Sequence, residues 1–99
     1  MVKKKVSPKG RTVRVTFSVP KESAQESVAV VGNFNDWNIR QHVMTLDKKN
    51  GVWTKSISFQ PGTRLEFRYI ADGEQWLNDE TADDFVPSGF LSENCVVEL

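Results

Sequence analysis

Apolar and polar residues alternate along several short stretches of the chain, and the first of them is the clearest. In RTVRVTFSV, apolar side chains occupy every second position: Val13, Val15, Phe17 and Val19. Successive side chains of a strand point to opposite faces, so this spacing predicts a strand with one buried and one exposed face. Pro20 ends the pattern, because proline has no amide N–H to continue a strand ladder.

Five further segments have the same character: ESVAVVGNF, HVMTL, VWTKSISF, RLEFRYIA and CVVEL. Asn50-Gly51, Pro61-Gly62 and Asp72-Gly73 are turn signals between them. No long segment has the apolar stripe of a helix. The pattern predicts an all-β, antiparallel, immunoglobulin-like β-sandwich of about six to eight short strands, with a small closed barrel as the alternative.

Length and composition limit the chain to one packed domain. It has 99 residues, and its longest apolar run, Val28 to Val31, is too short to cross a bilayer. The start MVKKKVSPKG contains no apolar core of a secretion signal. The single cysteine, Cys95, lies in an apolar strand and is expected to be buried and unreactive. We therefore expect a cytoplasmic protein.

The charges are divided unevenly between the two halves. Residues 1–50 carry a net charge of +6 and residues 51–99 carry −6. Half of the basic residues of the first half lie before residue 12: Lys3, Lys4, Lys5, Lys9 and Arg11. We interpret residues 1–11 as a basic, flexible N-terminal arm in front of a single domain over residues 12–99. Binding of nucleic acid or of an anionic membrane is not expected, because the sequence predicts no second basic face to support such an arm.

A search for catalytic or metal-binding chemistry finds little. The single histidine, His42, begins a strand and is interpreted as a solvated or packing residue. No metal-ligand spacing and no phosphate-binding or dinucleotide motif is present, so no metal and no cofactor is predicted. The acidic segment NDETADDF, which contains Asp79, Glu80, Asp83 and Asp84, is interpreted as a solvated loop. A calcium loop or a glycosidase carboxylate pair is the alternative, but a sandwich of this size rarely has the required cleft.

The three tryptophans are placed differently. Trp53 is in phase with Ile57 and Phe59 and is predicted to lie in the core. Trp37 lies in the polar turn VGNFNDWN, and Trp76 follows the hairpin turn in DGEQWLND. Exposed indoles beside amide and charged groups suit a sugar, whose apolar C–H face packs on a ring while its hydroxyls need polar partners. Arg68 points away from the core and can donate to such hydroxyls. A protein interface or stacked single-stranded bases are alternative uses of these rings.

Three motifs in combination resemble a known family. VAVVGNFNDWN, then GVWTKSISFQPGTRLEFRYIADGEQWLND, then ENCVVEL, are similar to carbohydrate-binding modules of family 48. These are the early-set immunoglobulin-like domains of isoamylases and glycogen branching enzymes, and the glycogen-binding domain of the AMP-activated protein kinase β-subunit is similar. The resemblance covers residues from about Thr12 to Leu99. The loop before Trp76 is one residue longer here, and Glu80 replaces a proline that often follows.

The resemblance implies a site. In glycogen-binding members two tryptophans pack on glucose units while a basic residue and an asparagine bond the hydroxyls. The matching positions are Trp37, Trp76, Arg68 and Asn94. A leucine that contacts the glucan would correspond to Phe90 or Leu91.

The resemblance also implies a function. The main hypothesis is a non-catalytic module that binds an α-1,4-linked glucan such as glycogen or a maltooligosaccharide, with a glycogen-metabolising enzyme or another protein chain as a further partner. The alternative is a structural or protein-interaction domain of the same fold without a working sugar site. An independent glycoside hydrolase is a third, weaker hypothesis.

Overall fold

The computed structural model describes residues 1–87 and 92–99, and within them the chain forms strands and one short 3-10 helix, Lys21–Ser23. The strands are β1 (Val2–Val6), β2 (Val13–Pro20), β3 (Val28–Gly32), β4 (Thr45–Asp47), β5 (Val52–Phe59), β6 (Arg64–Ala71), β7 (Gln75–Leu77), β8 (Asp84–Pro87) and β9 (Glu93–Glu98). They build two antiparallel sheets, in the orders β1-β2-β5-β4 and β3-β6-β9-β8, with β7 also paired to β6. The predicted all-β antiparallel sandwich is confirmed, with more strands than expected, since β1, β7 and β8 are also present.

The core lies between the sheets and follows the alternation in the sequence. Val13, Val15, Phe17 and Val19 of β2 are buried against Leu65, Phe67 and Tyr69 of β6. The ring of Phe17 packs edge-on against Phe67, with centroids 5.1 Å apart. Trp53 and Cys95 also lie in this core, as predicted, and burial raises the pKa of the Cys95 thiol.

The second sheet has a different outer face. Arg68 and Ile70 of β6 point away from the core, and Ile70 is buried there with Ala29 and Val31 of β3 in a small apolar cluster. Because these three side chains are buried, the outer face of the second sheet is covered at this point and is not fully open to solvent. The candidate functional site lies on this face.

Part of the predicted N-terminal arm, residues 1–11, is a strand in the structure. Residues Val2–Val6 form strand β1, paired with β2 from Val2↔Phe17 to Val6↔Val13. The Lys4 Nζ lies 2.7 Å from Asp83 Oδ2 and donates to the Glu98 carbonyl. Lysines on an edge strand keep it from pairing with other chains, so a basic segment can still be a strand. The domain boundary at residue 12 stays a prediction.

The acidic segment after Trp76 is not a uniformly solvated loop. Asp79 is 4% exposed, and its carboxylate accepts hydrogen bonds from the Tyr69 hydroxyl (2.7 Å) and from the amide and hydroxyl of Thr81 (2.9 and 2.6 Å). The amino group of Met1 lies 2.7 Å from the same carboxylate. Burial alone would raise the pKa of Asp79, but these donors outweigh it and the pKa is lowered. Asp79 is therefore a structural residue that ties the segment to the core.

No helix in the described ranges, 1–87 and 92–99, is long and apolar enough to cross a membrane.

Candidate functional site

The loop that carries Trp37 begins at a glycine that no other residue can replace without a shift. A Cβ on Gly32 would lie 2.4 Å from the Glu66 carbonyl oxygen and 2.7 Å from a ring carbon of Phe34. The side chain of Asn33 also bonds the loop to the backbone of β6. Its Oδ1 accepts from the Glu66 amide and its Nδ2 donates to the Arg64 carbonyl. The start of the loop is therefore fixed against β6.

Asn35 holds the loop from inside. Its side chain is 5% exposed, and its Oδ1 accepts from the Gly32 amide at 3.0 Å while its Nδ2 donates to the Val30 carbonyl at 3.2 Å. The ring of Phe34 packs against Phe59 with centroids 5.2 Å apart. The loop is consequently anchored by one amide and one aromatic ring.

The backbone then turns sharply to expose the indole. Asp36 and Trp37 have φ angles of 53° and 57°, in the left-handed region. This conformation costs a residue with a Cβ about 1–2 kcal/mol. The Trp37 amide donates to the Gly32 carbonyl at 2.9 Å and holds this turn. The indole is 38% exposed. A strained turn held by the surrounding structure fixes the direction of the ring.

Trp76 is placed by a hairpin. Asp72 and Gly73 form the turn between β6 and β7, both with positive φ. The Asp72 carboxylate accepts hydrogen bonds from the amides of residues 25–27. These bonds lower the pKa of Asp72, and the bond from Glu26 has the largest effect. Trp76 faces Ile70 across the β6–β7 ladder, lies on the outer face of the second sheet and is 43% exposed.

Arg68 connects the two halves of the site. Its guanidinium carbon lies 5.4 Å from the centre of the Trp76 ring, a cation–π contact. Its Nε donates to Asn78 Oδ1 at 2.9 Å, and Asn78 Nδ2 donates in turn to the Glu93 carbonyl at 3.1 Å. The two Nη nitrogens carry the remaining four N–H donors of the guanidinium. Arg68 is thus oriented by a ring and an amide on either side.

Four of the five residues predicted for a site come together. Trp37, Arg68, Trp76 and Asn94 line one shallow depression of about 260 Å³ on the outer face of the second sheet. Asn94 precedes Cys95, the partner of Phe67, so it lies level with Arg68 across β6 and β9. Leu91, the fifth, and the alternative Phe90 lie outside the described residues. The role of each residue stays a prediction.

Sequence reasoning missed two contributors behind this surface. Asn78 orients Arg68, and only the β6–β7 register, which the sequence does not give, brings the two together. The interpretation of His42 as a solvated or packing residue names no partner, and the structure places its Nδ1 2.8 Å from Asn35 Nδ2, behind the Trp37 loop. Within the described part of the chain, no group of three or more His, Cys, Asp or Glu is placed to hold a metal ion.

The model of the starch binding domain family, CBM_20, matches residues 12–87, and the chain belongs to this family. The matched range contains Trp37, Arg68 and Trp76. The family is one of non-catalytic binding modules.

Segments of larger enzymes are also similar to the chain. They belong to proteins named 1,4-alpha-glucan branching enzyme GlgB. The Rhizobium meliloti enzyme is 42% identical over 59 residues, which is 59% of this chain and 8% of the enzyme. The Bordetella pertussis enzyme is 44% identical over 52 residues, 50% of this chain and 7% of the enzyme. The Cellvibrio japonicus enzyme is 44% identical over 43 residues, which is 42% of this chain and 6% of the enzyme. The similarity therefore spans less than a tenth of each enzyme.

Proposed function

We propose that the chain is a non-enzymatic module that binds α-1,4-linked glucans of the glycogen or starch type. Trp37 and Trp76 serve as platforms for glucose rings, while Arg68 and Asn94 bond the hydroxyl groups. The observation that carries the proposal is the convergence of these four side chains on one exposed depression.

The chemistry of the depression supports a sugar ligand. Indole faces present flat apolar surface to the C–H face of a pyranose, and the guanidinium and amide groups beside them match its rim of hydroxyls. None of the four residues that line the depression in the described part of the chain is a carboxylate, so this set contains no acid pair of the kind that a glycosidase uses. A shallow site with few contacts predicts weak binding, on the order of micromolar to millimolar.

We further propose that the chain belongs to the family-48 type and works beside a glucan-metabolising enzyme in the cytoplasm. The motifs around Trp37 and Trp76 support this narrower assignment, and so does the similarity to segments of enzymes named as branching enzymes.

Sedimentation with glycogen tests the proposal. Covering about 60 Å² of indole is worth about 1.5 kcal/mol, so Trp37→Ala should weaken binding at least about tenfold. Trp37→Phe should retain part of the binding, because a smaller ring remains. A Trp37→Ala variant that folds and sediments like the wild type would refute the proposal.

Two arginines on the same face of β6 provide a matched control. Arg68→Ala should weaken binding by about fivefold to thirtyfold, the effect of about 1–2 kcal/mol of hydrogen bonding at a wet surface. Arg64, whose Nη1 lies 2.8 Å from Glu98 Oε1, does not line the depression. Arg64→Ala should therefore bind normally.

A protein-interaction domain is the second candidate. It is favoured by the exposure of Ile39 and Val43 (41% and 49%), since branched aliphatic side chains do not stack on sugars as indoles do. Val43 lies beside Ala29 on the same sheet as Trp76. A wild-type chain that binds no maltooligosaccharide at millimolar concentration would favour this candidate.

A further inference from the structure

The proposed sugar site leaves one partly buried polar pair unexplained, the contact of Asn35 with His42. Asn35 Nδ2 and His42 Nδ1 lie 2.8 Å apart behind the loop that presents Trp37. His42 is half-buried, and its ring lies 5.7 Å from the Phe34 ring. The His42 carbonyl accepts from the Val30 amide, which ties the residue to β3.

The backbone fixes the orientation of the Asn35 amide. The Gly32 N–H can only donate, so the Asn35 atom facing it is the oxygen, and the Val30 carbonyl can only accept, so the atom facing it is the nitrogen. An amide flip would lose both bonds. The Asn35 group that faces His42 is therefore an NH₂ donor.

The protonation state of His42 follows from this. A donor facing Nδ1 requires that nitrogen to accept, so the neutral ring carries its proton on Nε2. A second proton on Nδ1 would place two N–H groups face to face at 2.8 Å. The contact would change from a hydrogen bond to a repulsion.

The surroundings favour the neutral ring. Burial is the largest cause that lowers the pKa of His42, and repulsion from Lys55 of the neighbouring sheet adds to it. The loop residues that face the ring, Phe34 and Asn35, carry no charge. A pKa that is lowered in this conformation means that the contribution of the neutral ring to the stability of the loop is complete above pH 6.5, the value of a free histidine, and is lost as the pH falls through the lowered value.

We infer that His42 is a positioning residue that stabilises the Trp37 loop in this conformation while its ring is neutral, so that glucan binding weakens when the ring takes up a second proton. Asn35 transmits the effect, because it contacts His42 on one side and Gly32 and Val30 on the other. Gly32 is also the acceptor of the Trp37 amide. This inference rests on the proposed sugar site.

Calorimetric titration with maltoheptaose at about pH 7.5 and about pH 5 tests it. The sequence contains one histidine, so substitution of that residue shows whether a change across this window comes from its ring. Wild-type affinity should fall about threefold to tenfold at the lower pH, because this is the change in an equilibrium constant that the loss of one net hydrogen bond produces. His42→Asn, whose amide oxygen can accept from Asn35 at either pH, should change less than about twofold.

A wild-type affinity that stays constant over this range, or a His42→Asn variant with the same fall, would overturn the inference. A wild type that does not bind at pH 7.5 would overturn the proposed function instead.

The indole N–H resonance of Trp37, followed against pH without sugar, tests the inference independently of sugar binding. It should shift with the titration of His42 while that of Trp53 stays in place. A Trp37 resonance that does not follow the His42 titration would overturn it, whether or not the variant folds.

Discussion

The buried hydroxyl of Tyr69 makes a prediction that can be worked from the structure. Tyr69 is 1% exposed and donates at 2.7 Å to Asp79, which is 4% exposed. Tyr69→Phe removes one oxygen and leaves the packing against Phe17 and Phe67 in place. A hydrogen bond to a charged group contributes about 1.5–3 kcal/mol, and Asp79 keeps its bonds from Thr81. We expect the free energy of unfolding to fall by about 2 kcal/mol.

Urea unfolding measures this loss as a lower midpoint with an unchanged slope. Asp79→Asn should cost more than Tyr69→Phe, because either orientation of its amide places an NH₂ group against a donor, the Thr81 amide on one side or the Met1 amino group on the other. A Tyr69→Phe variant within about 0.5 kcal/mol of the wild type would refute the reasoning, since that is the range of ordinary surface substitutions.

The pH dependence adds a second check. The pKa of Asp79 is lowered in the folded chain, so its contribution is complete above the ordinary value of 3.8 and is lost as the pH falls through the folded value. The stability gap between the wild type and Asp79→Asn should therefore narrow below about pH 4. A gap that stays constant down to pH 2 would show that the charge of Asp79 contributes nothing.

Two further substitutions test the supports of the site. Gly32→Ala should destabilise the fold by about 1–3 kcal/mol in urea unfolding, since its Cβ would meet the Glu66 carbonyl. A cost within about 0.5 kcal/mol of zero would contradict the packing account. Asn78→Ala should weaken maltoheptaose binding by about twofold to tenfold through release of Arg68, measured by calorimetry. Asn50→Ala, which loses only its side-chain hydrogen bond to Asp47, should leave binding unchanged. An unchanged affinity for Asn78→Ala would contradict a positioning role for Asn78.

The sequence predicted the core and the outward residues because both depend only on alternation. Val15, Phe17 and Tyr69 are buried for the same reason that Arg68 points outward: neighbouring side chains of a strand face opposite sides. The turn-forming residues around Trp37 likewise predicted an exposed indole. The grouping of the four site residues came from the family resemblance, not from the pattern.

What the sequence could not provide depends on pairing between distant strands. Asp79 reads as one of several loop acids, and its burial follows from a hydroxyl on β6 and a neighbouring threonine. Asn78 becomes a partner of Arg68 only through the β6–β7 hairpin. Strand β1 was not predicted because Val2–Val6 contains three consecutive lysines, so the segment has no apolar–polar alternation.

The central claim is that Trp37 and Trp76 hold the sugar, and the three indole N–H resonances test it most directly. Trp53 lies in the core at 8% exposure and serves as the internal control, whereas Trp37 and Trp76 are exposed. On titration with maltoheptaose, the resonances of Trp37 and Trp76 should shift along one saturation curve while that of Trp53 stays in place. No shift of either exposed indole at millimolar sugar, or shifts that follow two different curves, would contradict a single glucan site.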